Sequence, residues 1–266
     1  MRAALLLSTC AVLLGSAASA YADDTVDLAL VLAVDTSASI KDESFRLQMD
    51  GYASAFLDPA VIATIAKSGG HGVAVTMVEW SGTGQQMQVI PWTIIRDKAT
   101  SENLAASIKI AKRVFRDITS ISEGIDFSVA LLHGSGLSSS QRVIDVSGDG
   151  PNNAGRDVRL ARDAAVKDGI TINGLPILTD EFDLKTYYKD NVSGGVGSFI
   201  EVADGMAAFA ETIRYKIVKE ISDAQTPGPA QAQPGTIVPS TRHPTGRKTH
   251  VSAPGSLAKN FVSPSR

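Results

Sequence analysis

The chain has 266 residues, 44% hydrophobic and 20% charged, which suits one medium α/β domain with tails rather than two domains. Its formal net charge is −3, but residues 23–222 carry 19 basic and 27 acidic side chains, a net of −8 that argues against a nucleic-acid surface. The single cysteine, Cys10, falls in the first 22 residues, so a chain that loses them has no disulfide and no thiol chemistry.

Residues 1–22 read as a secretory signal peptide. Arg2 precedes an apolar stretch at 3–14, and the small residues Ala18, Ala20 and Ala22 allow cleavage after Ala20 or Ala22. The stretch is too short and wrongly flanked for a transmembrane span, so export to the periplasm or the exterior is expected.

A domain is expected over 23–222. Its first strand, "VDLALVLAV", is apolar on both faces, as a parallel strand covered by helices on both sides requires. A helix follows over 41–57, where Phe45, Met49, Tyr52 and Phe56 repeat with helical spacing. Strands are expected at 72–80 and 86–95. Pro91 confines the second of these to an edge, and the short "SGTG" link implies antiparallel pairing. Helices at 101–115 and 123–133, a strand at 142–148, a helix at 155–167, strands at 170–178 and 197–203, and a helix at 205–221 complete the series. Met206, Phe209, Ile213 and Ile217 mark the buried face of the last helix. This alternation predicts an α/β fold: a doubly wound, mostly parallel sheet with helices on both faces and one antiparallel edge strand. Residues 223–266 hold seven of the eleven prolines and five basic residues against one acid, the composition of a solvated, disordered tail.

In such sheets ligands bind beyond the carboxyl ends of the strands. Three segments expected there carry hard oxygen donors: "DTSAS" (Asp35, Ser37, Ser39), "DITSISEGI" (Thr119, with Ser120 and Ser122 as rivals) and "VSGDGPNN" (Asp149). A helix cap uses one such residue, and Asp-Gly is a common turn pair. Two carboxylates with three hydroxyls and no Cys or His suit Mg²⁺, with Mn²⁺ or Ca²⁺ as alternates, rather than Zn²⁺ or Cu²⁺. Glu79, Trp80 and Ser81 end the second strand at the same edge. Asn152 and Asn153 fit either a partner contact or loop hydrogen bonding, and Asp145 fits a hydrogen-bonded buried carboxylate. His71 and His133 belong to no pattern.

At these residues the chain resembles the von Willebrand factor type A (VWA) domain with its metal-ion-dependent adhesion site, and looks similar to a secreted bacterial branch of uncharacterised function. The signature D-x-S-x-S matches Asp35 to Ser39, T-x-x-G-x-A-[LI] matches "TSISEGI" in part, and the strand-terminal aspartate matches Asp149-Gly150. The resemblance implies a divalent cation held directly by Ser37, Ser39 and Thr119, with Asp35 and Asp149 bound directly or through water. It further implies a protein partner that offers a carboxylate at the open position. Two departures stand out: Ser122 replaces a glycine, and Asp145 interrupts a normally apolar strand. The resulting expectation is a non-enzymatic binding module. The alternatives are a metal-dependent, phosphatase-like hydrolase and a structural domain without metal. Against the hydrolase, Ser37 occupies the place of the second acid, no His lies in the three loops, and no G-x-S-x-G or Walker pattern occurs.

Overall fold

The computed structural model describes residues 24–67, 70–178 and 183–225. The expected leader, 1–22, and the tail from 226 onward lie outside the described residues.

Five strands form one sheet: β1 (Thr25–Asp35), β2 (Val73–Trp80), β3 (Gln86–Ile95), β4 (Ser138–Gly148) and β5 (Thr171–Pro176), in the order β3-β2-β1-β4-β5. Strands β2, β1, β4 and β5 run parallel, and β3 pairs antiparallel with β2 at the edge, where Pro91 costs no interior ladder bond. Strand β1 is central because its apolar side chains can be buried on both faces. Leu28, Leu30, Leu32 and Val34 join one core layer, while Ala29, Val31 and Ala33 join the other. Fully burying one such Leu or Val contributes about 1.5–3 kcal/mol.

The first layer is covered by α1 (Asp42–Leu57), α2 (Pro59–Lys67), α3 (Lys98–Ile110) and α7 (Phe209–Gln225). The second is covered by α4 (Ile121–Gly134), α5 (Val158–Lys167), α6 (Leu184–Tyr187) and a single π turn, Tyr188–Val192. Register places Val34 beside Glu79 and beside Ser147, so the ends of β1, β2 and β4 share one edge of the sheet.

Several boundaries differ from the sequence expectation. The helix expected at 101–115 runs Lys98–Ile110, because Asp97 and Thr100 form a capping box three residues earlier. It stops where tertiary bonds claim the chain: Arg46 donates to the Ala111 carbonyl at 2.6 Å and Glu79 accepts the Val114 N–H at 2.7 Å. Helix α2 was not anticipated. Its signals are Pro59 at the first helical position and the Asp58 carboxylate accepting the Ala60 N–H at 2.7 Å. The strand expected at 197–203 is reduced to isolated bridges from Ile200 to Gly174 and from Ala203 to Ile177. Gly195 just before it and Gly197 at its first position have φ of 98° and 72°, outside any strand conformation. The last helix is preceded by a 3₁₀ turn, Met206–Ala208, and continues to Gln225, beyond the expected boundary at 222. There Gln225 donates to the Thr64 carbonyl of α2 at 2.8 Å.

Candidate metal site

Asp35 closes β1 and is fully buried. One carboxylate oxygen, Oδ1, accepts the Ser37 N–H at 2.7 Å, the short loop bond expected of an Asp at the start of a turn. The other, Oδ2, has no hydrogen-bond partner among the described residues. The Ser37 and Ser39 hydroxyls are 3.1 Å apart, and Ser39 Oγ donates to Asp149 Oδ1 at 2.6 Å. The "DTSAS" loop and the loop after β4 are thereby joined through the oxygens of Ser37, Ser39 and Asp149, with Asp35 tied to the same loop by the Ser37 N–H.

Thr119 lines the same cleft as Ser39 and Asp149, a volume of about 440 Å³. It arrives there because Asn153 fastens its backbone: the Thr119 N–H donates to Asn153 Oδ1 at 2.8 Å, and the Thr119 carbonyl accepts the Asn153 and Ala154 N–H groups at 2.9 and 3.1 Å. The rival hydroxyls are directed elsewhere. Ser120 Oγ donates to the Ala154 carbonyl at 3.2 Å, Ser122 Oγ lies 3.4 Å from Ser120 Oγ, and both serines are fully buried. Asn152 accepts the Ser122 N–H at 3.0 Å, so both asparagines hold loops together. The structure thus brings all five expected residues to one edge.

The two departures from the family pattern also find reasons. Ser122 packs into the space left by Gly155, where an added Cβ would come within 2.8 Å of Ser122 Oγ. Asp145 lies on the α7 side of the sheet, opposite Leu32 and Asn173, and its carboxylate is 2.7 Å from Lys216 Nζ of α7. Lys216 also pairs with Glu220, and all three charged groups are buried.

Two further positions are shaped by close approach. Gly124 takes the small-residue place in the threonine loop because a Cβ there would be 2.9 Å from Trp80 Cγ. Trp80 is accordingly a core residue, fully buried, rather than part of the cleft. Gly148 lets Tyr188 and Asp35 pass close by, since a Cβ would meet Tyr188 Oη at 2.7 Å and Asp35 Oδ2 at 2.8 Å.

Arg113 is the site residue that the sequence reading missed. Its Nη2 donates to the Thr36 and Ser37 carbonyls at 2.7 Å each, and its Nη1 is 3.1 Å from Asp42. It braces the "DTSAS" loop from behind through carbonyls, with no bond to Asp35 or Asp149. No motif marks it, because a helix expected to reach 115 would have turned it elsewhere.

Electrostatics follow from burial. Removal from water, and then the neighbouring Asp149, push Asp35 up to about 7, while the Ser37 N–H opposes. Burial likewise raises Asp149, against its bond from Ser39. Among the described residues no Lys, Arg or His forms an ion pair with either carboxylate. Nor is any group of three His, Cys, Asp or Glu side chains among the described residues placed to hold an ion. The donor set is two carboxylates and three hydroxyls, all hard oxygen, with an unpartnered buried oxygen on Asp35. That chemistry fits Mg²⁺ or a similar hard cation. Neither His71 nor His133 lines the cleft; His133 is 3.6 Å from Asp168 at the opposite end of α4.

Comparison with known proteins agrees with the fold. A family model described as a protein of unknown function (DUF1194) matches residues 25–225. Among solved structures, the chain is similar to proximal thread matrix protein 1 of the mussel byssus, determined with a zinc-occupied MIDAS motif. The TM-score is 0.55 at 15% identity, over 73% of this chain and 46% of that one. It is also similar to a von Willebrand factor type A protein from Catenulispora acidiphila (TM-score 0.53, 11% identity, 74% and 42% covered). A third likeness is to the vWF domain of the type V pili tip protein Mfa5 from Porphyromonas gingivalis (TM-score 0.53, 10% identity, 77% and 98% covered). The chain therefore spans less than half the length of the first two proteins. No curated protein matches it in sequence. These likenesses establish the doubly wound VWA fold, and no helix among the described residues is long and apolar enough to cross a membrane.

Proposed function

We propose the following role for this chain, which belongs to the DUF1194 family of proteins of unknown function: it is an exported VWA-type binding module that holds one divalent cation, Mg²⁺ by preference, and uses it to capture a carboxylate of a protein partner. Ser37, Ser39 and Thr119 hold the ion directly, with Asp35 and Asp149 bound to it directly or through water. The observation that carries this reading is the pair Asp35 and Asp149. The buried Asp35 and the half-buried Asp149 belong to one network, and among the described residues no cationic side chain forms an ion pair with either, so an incoming ion supplies the missing charge.

A bound ion supplies a Lewis-acidic attachment point for an oxygen ligand. The rest is done by the chain. The neutral hydroxyls of Ser37, Ser39 and Thr119 leave net positive charge at the cleft, and Arg113 and Asn153 hold the two loops in register. No histidine lines the cleft among the described residues, and Asp117 there is engaged by Gln85 and the Ile118 N–H, which favours capture over turnover.

Calorimetric titration of the purified protein with Mg²⁺, Mn²⁺ and Ca²⁺, beside Asp35→Ala, tests the reading. One-to-one binding lost in the variant is expected. Equal heats from both proteins, or none from the wild type, overturn it, and metal-dependent turnover of a phosphoester would favour a hydrolase.

A further inference from the structure

Between α3 and Thr119 the chain runs without regular structure over 111–118 and its exposure alternates. Ile110, Lys112, Val114, Arg116, Asp117 and Ile118 are exposed, while Ala111, Arg113 and Phe115 are partly covered, so the alternation runs as far as Arg116. Three of the nine large apolar side chains exposed among the described residues fall here: Ile110 at 77%, Val114 at 42% and Ile118 at 52%. Residues 103–116 include Lys109, Lys112, Arg113 and Arg116 and no carboxylate, within a domain that is otherwise strongly acidic. From Ile110 to Arg116 the outward face therefore alternates apolar and cationic groups, a pattern without structural necessity on a solvated loop, and Asp117, whose carboxylate is taken up by Gln85 and the Ile118 N–H, marks its end at the cleft.

The segment is attached to the body at only some points. Glu79 accepts the Val114 N–H, Ser81 Oγ accepts the Asp117 N–H at 2.8 Å, and the Asp117 carbonyl accepts the Ala38 N–H at 2.7 Å. The N–H groups of Lys112, Phe115 and Arg116 have no partner among the described residues. Arg116 pairs with Asp42, but both side chains are more than half exposed, so the pair is weak and exchangeable. Lys112 has no ion pair among the described residues. The strip is continuous with the proposed metal cleft, since Arg116 and Ile118 line that cleft together with Thr119 and Asp149.

We infer that residues 110–118 are the docking edge for an extended segment of a protein partner in which acidic and apolar side chains alternate. This inference rests on the capture reading above. The acids of the segment meet Lys112 and Arg116, its apolar side chains cover Ile110, Val114 and Ile118, and its main chain pairs with the free N–H groups. The leading carboxylate enters the cleft beside Thr119. The alternation matches the two-residue period of an extended chain, whose side chains on one face recur at every second position. A lipid surface is the less favoured occupant, because the strip ends at the carboxylates of the cleft.

The test uses fluorescence anisotropy of the full chain with a labelled ten-residue peptide of alternating acidic and apolar residues. Controls are an isomer with its acids in one block and a version with every acid replaced by its amide. In Mg²⁺ the alternating peptide is expected to bind at least tenfold more tightly than either control. Lys112→Glu and Val114→Ser should each lose tenfold or more, with Mg²⁺ affinity by calorimetry unchanged. Mg²⁺-dependent binding of equal strength in both variants overturns the docking edge and leaves the metal reading standing. Loss in the variants with no effect of chelator keeps the docking edge and removes the metal reading. No preference among the three peptides, or variant-sensitive binding to phosphatidylglycerol vesicles in place of the peptide, overturns the inference.

Discussion

Two pairs of acids in this protein, one wholly buried and one in which Asp149 is half-buried beside the buried Asp35, are handled in opposite ways. Under α7, Asp145 and Glu220 both reach Lys216, and Asn173 donates a further bond to Glu220 at 3.2 Å. Burial opposes the charge on Lys216, yet the two acids hold its ammonium above the ordinary value; burial first, and then Glu220, push Asp145 up, with Lys216 opposing. At the carboxyl edge, Asp35 accepts the Ser37 N–H and Asp149 the Ser39 hydroxyl, and among the described residues neither forms an ion pair. The interior cluster is closed, because its counter-charge is part of the chain. The edge cluster lies where a cleft opens to solvent, so its counter-charge can come from outside. A buried charge must be paired wherever it lies; which partner serves depends on whether water and ions can reach it.

The largest effect that would sharpen this contrast is in the closed cluster. Lys216→Met leaves two buried acids unpaired and is expected to cost about 3–5 kcal/mol in urea unfolding at neutral pH. Adding Asp145→Leu and Glu220→Leu to it should recover most of that loss. A single-variant loss below about 1 kcal/mol would break the contrast, showing that the interior acids need no cation.

The edge cluster should instead respond to solution ions. Mg²⁺ at a hundred times its Kd is expected to stabilise the wild type by about 2.7 kcal/mol. Asp35→Asn should show no Mg²⁺ increment, whereas Lys216→Met should show the full one. An equal increment in Asp35→Asn would place the ion elsewhere.

Next in size is the brace behind the edge cluster. Arg113→Met removes two charge-assisted bonds to the carbonyls of Thr36 and Ser37, an expected cost of about 1.5–3 kcal/mol. The Mg²⁺ affinity should fall with it, because the loop that carries Ser37 and Ser39 loosens. Unchanged affinity would show that the loop holds its shape without Arg113.

The smallest effect concerns Glu79, beside Val34 in register, which burial raises to about 7. The native state then holds a proton that the unfolded chain has released between about pH 4.5 and 7. Its contribution is therefore present below that window and is lost as pH rises through it. Denaturation midpoints of wild type and Glu79→Gln across pH 4–8 should diverge over this range by on the order of 1 kcal/mol, with the wild type falling relative to the variant. Parallel curves would show that Glu79 does not titrate there.

Much of the scaffold was legible because its signals are local or periodic. The doubly apolar run of β1 requires cover on both faces, Pro91 requires an edge, and Asp35, Ser37 and Ser39 stand too close together for a cap alone. Other features were not legible because they depend on distant residues. Arg113 looks like any cation in a helical stretch until Glu79 and Arg46 draw 111–114 out of the helix. Thr119, Ser120 and Ser122 are chemically alike, and only the bonds to Asn152, Asn153 and Ala154 decide which of these residues lines the cleft. Lys216 lies beside the expected apolar face of α7, and nothing local says that a lysine there is fully buried.

The sequence by itself determined the class of the fold, the edge strand and the oxygen-rich character of the three loops, since burial periodicity and donor chemistry act over a few residues. The tertiary structure alone decided which acids find a partner within the chain. Asp145 meets Lys216 across 71 positions, and Ser39 meets Asp149 across 110. Charge pairing acts through space over a few ångströms, so the difference between a closed ion cluster and an open one exists only after the strands and α7 have packed.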